Sequence, residues 1–155
     1  MHDAVNGLRP RYDSWMAHAG APSNASAEAA ATSASRDVLV ALYASQTATF
    51  DALNNTLLAG IPNGPAKTAG IAWGQQVARE VLTARTGDGS ANTAPYPGST
   101  DPGKWRPHLS FGGIVRPALL PLWGSVVPFA LRSGSQFRPP EPPTLRSIQY
   151  ALEVL

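Results

Sequence analysis

Cysteine is absent from the 155-residue chain, which excludes disulfides and thiolate metal sites. A Cys-free chain is tolerated in reducing and oxidising surroundings alike, so the compartment stays open. Charge is scarce too. Lys, Arg, Asp and Glu together make up 14% of the chain against 43% hydrophobic residues, which is not the balance of a disordered polypeptide. So few charges leave two explanations: something else covers part of the surface, or the Ala, Ser and Thr supply a neutral one. No apolar run reaches the roughly 18 residues that a membrane-spanning helix needs. Met1-His2-Asp3-Ala4-Val5 has neither the basic start nor the apolar stretch of a signal peptide. The expectation is a soluble chain, with secretion open if further residues precede Met1.

The net charge of +2 is too small to imply a nucleic-acid partner. Its distribution is uneven. Residues 1–86 carry six basic and six acidic side chains, whereas the stretch from Lys104 to Arg146 sets Lys104, Arg106, Arg116, Arg132, Arg138 and Arg146 against Glu141 alone. Such a positive stretch would steer an anion, and a solvated irregular segment explains it as well.

Hydrophobic periodicity divides the chain. A short first helix over Met1–Leu8 ends before Pro10, because proline disfavours helical geometry in the residue ahead of it. Ser23-Asn24 or Ser26 caps a second helix, with Glu28 in its first turn. Its stripe of Ala27, Ala30, Ala31, Ala34, Val38, Ala41 and Leu42 is small enough for close helix approach. A third helix over Thr47–Ala59 carries Phe50, Leu53, Leu57, Leu58 and Ile61 on one face and Asp51, Asn54 and Asn55 on the other. Pro65 opens a fourth, running to about Arg85, with Ala66, Gly70, Trp73, Gly74, Val77, Ala78 and Val81 along one side. A glycine inside a helix costs roughly 1 kcal/mol against alanine, so Gly70 and Gly74 imply a close contact. Arg85-Thr86-Gly87-Asp88-Gly89 reads as its basic last turn and glycine cap.

Residues 87–143 read as a long irregular connection rich in Pro, Gly and Trp. Its Tyr96, Trp105, Phe111, Trp123, Phe129 and Phe137 predict a segment that drapes over a core and buries its aromatics. A last helix starts at Thr144 with Leu145, Ile148, Leu152 and Leu155 on one side. An uncapped first helix and a last helix without a stop read as cuts in a larger fold. The fold class is therefore all-α: half of a helical bundle, with the connection lying between the fourth and last helices.

In order and spacing, these landmarks resemble the N-terminal part of the vanadium-dependent haloperoxidase-like proteins of bacteria, within the type-2 phosphatidic acid phosphatase superfamily. The resemblance is carried by Met1-His2-Asp3-Ala4-Val5-Asn6, the Ala-rich stretch from Glu28 to Tyr43, the Ile61-Pro62 turn, and Gly70-Ile71-Ala72-Trp73-Gly74 with Val77-Ala78. It continues through Arg85-Thr86-Gly87-Asp88-Gly89, Gly103-Lys104-Trp105-Arg106-Pro107, Pro121-Leu122-Trp123-Gly124, Pro128-Phe129, Gln136-Phe137-Arg138-Pro139 and Pro142-Pro143. His108 departs from the family's expected Thr. The resemblance implies residues 1–155 as one N-terminal helical region of a larger fold, with vanadate as cofactor of the complete protein. It also implies peroxide-dependent halide oxidation by that protein, and as partner either the missing C-terminal catalytic half or a second copy. A related acid phosphatase and a non-enzymatic helical interaction module are the alternatives.

The family's oxyanion pocket uses Lys and Arg-Pro seven residues apart, then Ser-Gly-His, then a further Arg and His, a charge-assisted anion site with a tuned histidine. None of the Arg-Pro pairs at Arg9, Arg106, Arg116 and Arg138 has a Lys seven residues before it, and Ser133-Gly134 is followed by Ser135. His2, His18 and His108 lie outside any matching context. Nor is there a nucleophile elbow, a phosphate-binding loop or a His-Glu-x-x-His pair. His2 and Asp3, adjacent on a helix, point about 100° apart, which suits a polar surface better than a metal. Gly87-Asp88-Gly89 lacks the acids of a calcium loop. Trp105 between Lys104 and Arg106 would stack on a sugar or base, or pack its indole inward with the cations outside. The expectation is no catalytic, cofactor-binding or metal-binding residue here, and a chain inactive alone.

Overall fold

A computed structural model describes residues 1–16, 20–101, 104–109 and 112–140. The chain forms two compact units, Met1–Thr86 and Gly87–Leu155. The described residues are mostly helical, in keeping with the all-α expectation. None of their helices is long and apolar enough to cross a membrane.

The first unit contains α1 (His2–Asn6), α2 (Ala27–Leu42), α3 (Thr47–Ala59) and α4 (Pro65–Ala84). Ser26 caps α2 by accepting the Ala29 N–H on its hydroxyl at 3.1 Å, which satisfies one of the orphan donors of the first turn. Pro65 opens α4, where its missing N–H has no helical partner to lose. α4 ends at Arg85 in right-handed geometry without a basic residue in its last turn; Gly87 turns left-handed, at φ +74°, two residues later. The expected glycine cap is thus displaced into the following turn.

α2 packs most extensively on α4. The small residues account for this. A Cβ on Gly74 would collide with the Ala30 carbonyl oxygen, and one on Gly70 with the Ser26 carbonyl and, at 2.9 Å, the Ala29 methyl. The two glycines let the α4 backbone lie against α2. Ala4, Ala30, Ala34, Trp73 and Val77 form the buried core, with Leu8, Ala21 and Val81 at its margin.

Two expectations fail in this unit. Along the α2 stripe Ala27, Ala30 and Ala34 are buried, Ala31 and Val38 are half-buried, and Leu42 is 62% exposed. No residue of α3 is buried, and Leu53 and Leu57 of its expected core face are half exposed. α3 is therefore an outrigger on α2, because the interior is already filled by α2, α4 and Trp73.

In the second unit, β1 (His108–Leu109) pairs antiparallel with β2 (Val115–Arg116), and a 3-10 turn spans Trp123–Ser125. The ladder is too short to change the helical class. Asp88 is buried; its carboxylate accepts the Ser90 N–H at 2.8 Å and its carbonyl accepts the Val127 N–H at 2.8 Å. The expected burial of the aromatics is not observed, since Trp123, Phe129 and Phe137 are exposed. Among the described residues of this unit the regular elements are this short ladder and one 3-10 turn, neither long enough to cover those rings. Trp105 is also partly exposed, its ring 6.1 Å from that of Tyr96. Phe111 and the helix expected from Thr144 lie outside the described residues.

Candidate functional site

Helical spacing places Ser33, Arg36 and Asp37 of α2 on one face, and Asp51, Asn54 and Asn55 of α3 on another. The two faces meet around a cleft of about 310 Å³ that Ile71 and Gln75 of α4 also line. Arg36 Nε donates to Asp51 Oδ1 at 2.7 Å, and its Nη1 donates to Asp37 Oδ1 at 3.0 Å. These bonds, to Asp37 first and then Asp51, raise the guanidinium pKa further and hold Arg36 as a cation. Two carboxylates face one guanidinium, so the cleft carries net negative charge. Ser33 is 4% exposed, and neither its hydroxyl nor Asn54 Oδ1 has a hydrogen-bond partner among the described residues.

A second, more open groove of about 540 Å³ runs beside α1, with His2, Arg9 and Arg11 on its rim. Its polar groups have structural work. Asn6 accepts the Arg11 and Tyr12 N–H groups, both at 3.0 Å, and donates to the Tyr12 carbonyl at 2.7 Å. Asp3, 4% exposed, accepts the Trp15 N–H at 2.8 Å and the Met16 N–H at 2.7 Å. Two buried side chains one turn apart thus clasp the returning strand of chain, and that explains Asp3 without a metal. His2 Nε2 sits 3.2 Å from the Asp13 carbonyl and stays at the surface.

The other residues weighed from sequence do not converge. Arg106 donates to the Thr100 carbonyl, and Arg116 pairs with His108 across the short ladder. Arg9 and Arg138 are exposed, and Ser133 and Ser135 bond each other through their hydroxyls at 3.1 Å. Asp88 is engaged in its own turn, and His18 lies outside the described residues. Among the described residues no group of three or more His, Asp or Glu side chains is placed to hold a metal ion.

No family model, curated protein or solved structure matches the chain. The cleft was not anticipated from sequence. A signal existed in Arg36-Asp37 on one helix and Asp51, Asn54 and Asn55 on the next, two polar faces joined by a short turn. Periodicity within each helix does not reveal that the two faces meet.

Proposed function

We propose that this chain is the N-terminal scaffold portion of a vanadium-dependent haloperoxidase-like protein, providing packing surface and no oxyanion pocket. The observation that supports this reading most directly is that its family-like landmarks do packing work. The Met-His-Asp-Ala helix delivers Ala4 and Asp3 to the core and to the clasp, and the Gly-x-x-Trp-Gly stretch carries Trp73 between the two close-contact glycines. On this reading residues 87–143 are the family's connection between the fourth and last helices. The half-exposed side of α3 is then a surface for the remainder of the fold or a second copy.

Vanadate itself does not fit the described residues. An oxyanion needs converging cationic donors, whereas the polar cleft is net negative and the Arg-Pro arginines are scattered. On this reading the residues that would hold vanadate in the complete protein belong to the other half. A scaffold of this kind serves an acid phosphatase equally, since vanadate and phosphate share a geometry.

The test uses the purified chain with vanadate, hydrogen peroxide and bromide. No bromination of monochlorodimedone is expected, together with hydrophobic-dye binding and self-association. Turnover would overturn the scaffold role. A monomer that melts cooperatively and binds no dye would instead favour the free-standing interaction module.

A further inference from the structure

Two turns of the second unit touch at glycines. In one, the Trp123 N–H donates to the Leu120 carbonyl at 3.0 Å and the Ser125 N–H to that of Leu122 at 2.9 Å. In the other, the Arg132 N–H donates to Gln136 Oε1 at 2.6 Å and the Arg138 N–H to the Ser135 carbonyl at 3.0 Å. A Cβ on Gly134 would collide with the Gly124 carbonyl oxygen, so the turns meet backbone to backbone. That contact gathers Trp123 from the first turn and Arg132, Phe137 and Arg138 from the second within a few residues of one point. Trp123 is 56% and Phe137 78% exposed, and Leu131, Arg132 and Arg138 are exposed beside them. Rings left in water next to cations mark an interaction surface rather than a core.

Charge decides what such a surface meets. From residue 102 to residue 140 the sequence holds Lys104, Arg106, Arg116, Arg132 and Arg138, and no Asp or Glu. The complement is a polyanion. Bases of a single strand would stack on the aromatic rings but would leave exposed aliphatic chains such as Leu119 and Leu131 in water. An anionic bilayer receives all three kinds of group. Rings settle at headgroup level, aliphatic side chains reach the acyl boundary, and guanidiniums pair with lipid phosphates. We propose that these two turns seat on an anionic lipid surface, with Trp123, Leu131 and Phe137 entering it and Arg132 and Arg138 on its phosphates. This inference does not rest on the haloperoxidase-like reading, and its failure would leave that reading standing.

The experiment floats the full chain with phosphatidylcholine vesicles, made with and without phosphatidylserine. Flotation is expected only with phosphatidylserine, and it is expected to weaken as salt rises. Each basic side chain near such a surface strengthens binding about fivefold, so Arg132→Gln with Arg138→Gln is expected to weaken it about 25-fold. Trp123→Ser is expected to weaken it as well. All three side chains are exposed, so the variants are expected to keep the native melting transition. Leu53→Gln with Leu57→Gln, on α3, is expected to float like the native chain. Equal flotation on phosphatidylcholine alone, undiminished flotation of the Arg132, Arg138 and Trp123 variants, loss in the α3 variant, or capture by a single-stranded oligonucleotide in preference to vesicles would overturn the proposal.

Discussion

Trp73 Nε1 donates to the Ala4 carbonyl at 2.9 Å across a fully buried contact, joining residues 69 positions apart. The bond ties the short α1 to α4, and a Cβ on Gly7 would stand 2.6 Å from the same indole. A helix of five residues has no stability of its own, so α1 exists because this contact and the Asp3 and Asn6 clasp hold it. Trp73→Phe keeps most of the ring but strands the Ala4 carbonyl, and is expected to lose about 1–3 kcal/mol. Trp73→Ala also opens a cavity and is expected to lose about 3–5 kcal/mol. Urea denaturation followed by circular dichroism separates the two, and a Trp73→Phe variant as stable as the native chain would argue against the hydrogen bond.

Gly74 presents a contest of opposite signs. Alanine in place of a helix-interior glycine gains about 1 kcal/mol from propensity. Here the new methyl meets the Ala30 backbone, which cannot swing away as a side chain would. Overpacking of that kind costs about 1–3 kcal/mol. Gly74→Ala is expected to lower the urea midpoint, while Gly60→Ala, whose Cβ would lie an ordinary 3.5 Å from Leu57 O, leaves it level or raises it. A stabilised Gly74→Ala would mean that α2 and α4 are further apart than described.

Local signals made α2 and α4 legible in the sequence, because cap, periodicity and close-contact glycines agree. Ser26, Pro65, Gly70 and Gly74 each do what their residue type suggests. The face of α3 was not legible. Leu53 and Leu57 are apolar at helical spacing, but the core is complete without them, and periodicity alone cannot reveal that. The cleft escaped for a related reason: polar residues on two helices carry no sign in the sequence that they face one another, and only the third dimension turns them toward each other. Trp123, Phe129 and Phe137 show that aromatic content by itself does not predict burial.

Glu28 supplies a pH signature. Its carboxylate pKa lies below the usual value, because its own backbone N–H and the Ser26 hydroxyl, at 3.0 Å, both donate to the charged form. A lowered folded-state pKa gives stability that is present above the unfolded value and disappears as pH falls through the folded one. The stability gap between the native chain and Glu28→Gln is therefore expected to be widest near neutral pH and to close in acid. Ser26→Ala loses the cap, about 1 kcal/mol, and also narrows the Glu28 dependence. Parallel thermal melts across the acid range check both, and a gap that widened in acid would reverse the assignment.

The exposed side of α3 yields the prediction that bears most on the scaffold reading. Leu53 and Leu57 are 55% and 50% exposed, one turn apart, whereas Val77 is 2% exposed in the core. Polar replacement at a half-exposed leucine removes little buried area, so Leu53→Gln with Leu57→Gln is expected to leave the urea midpoint nearly unchanged. The same pair removes the uncovered apolar surface of α3, so dye binding and self-association through that surface are expected to fall. Val77→Ala gives the converse, with stability lost through a core cavity and the α3 surface intact. If the double variant loses as much stability as Val77→Ala, α3 is a core element of this unit and its outer side is not a waiting surface. If stability holds but association is untouched, the contact lies elsewhere on the chain.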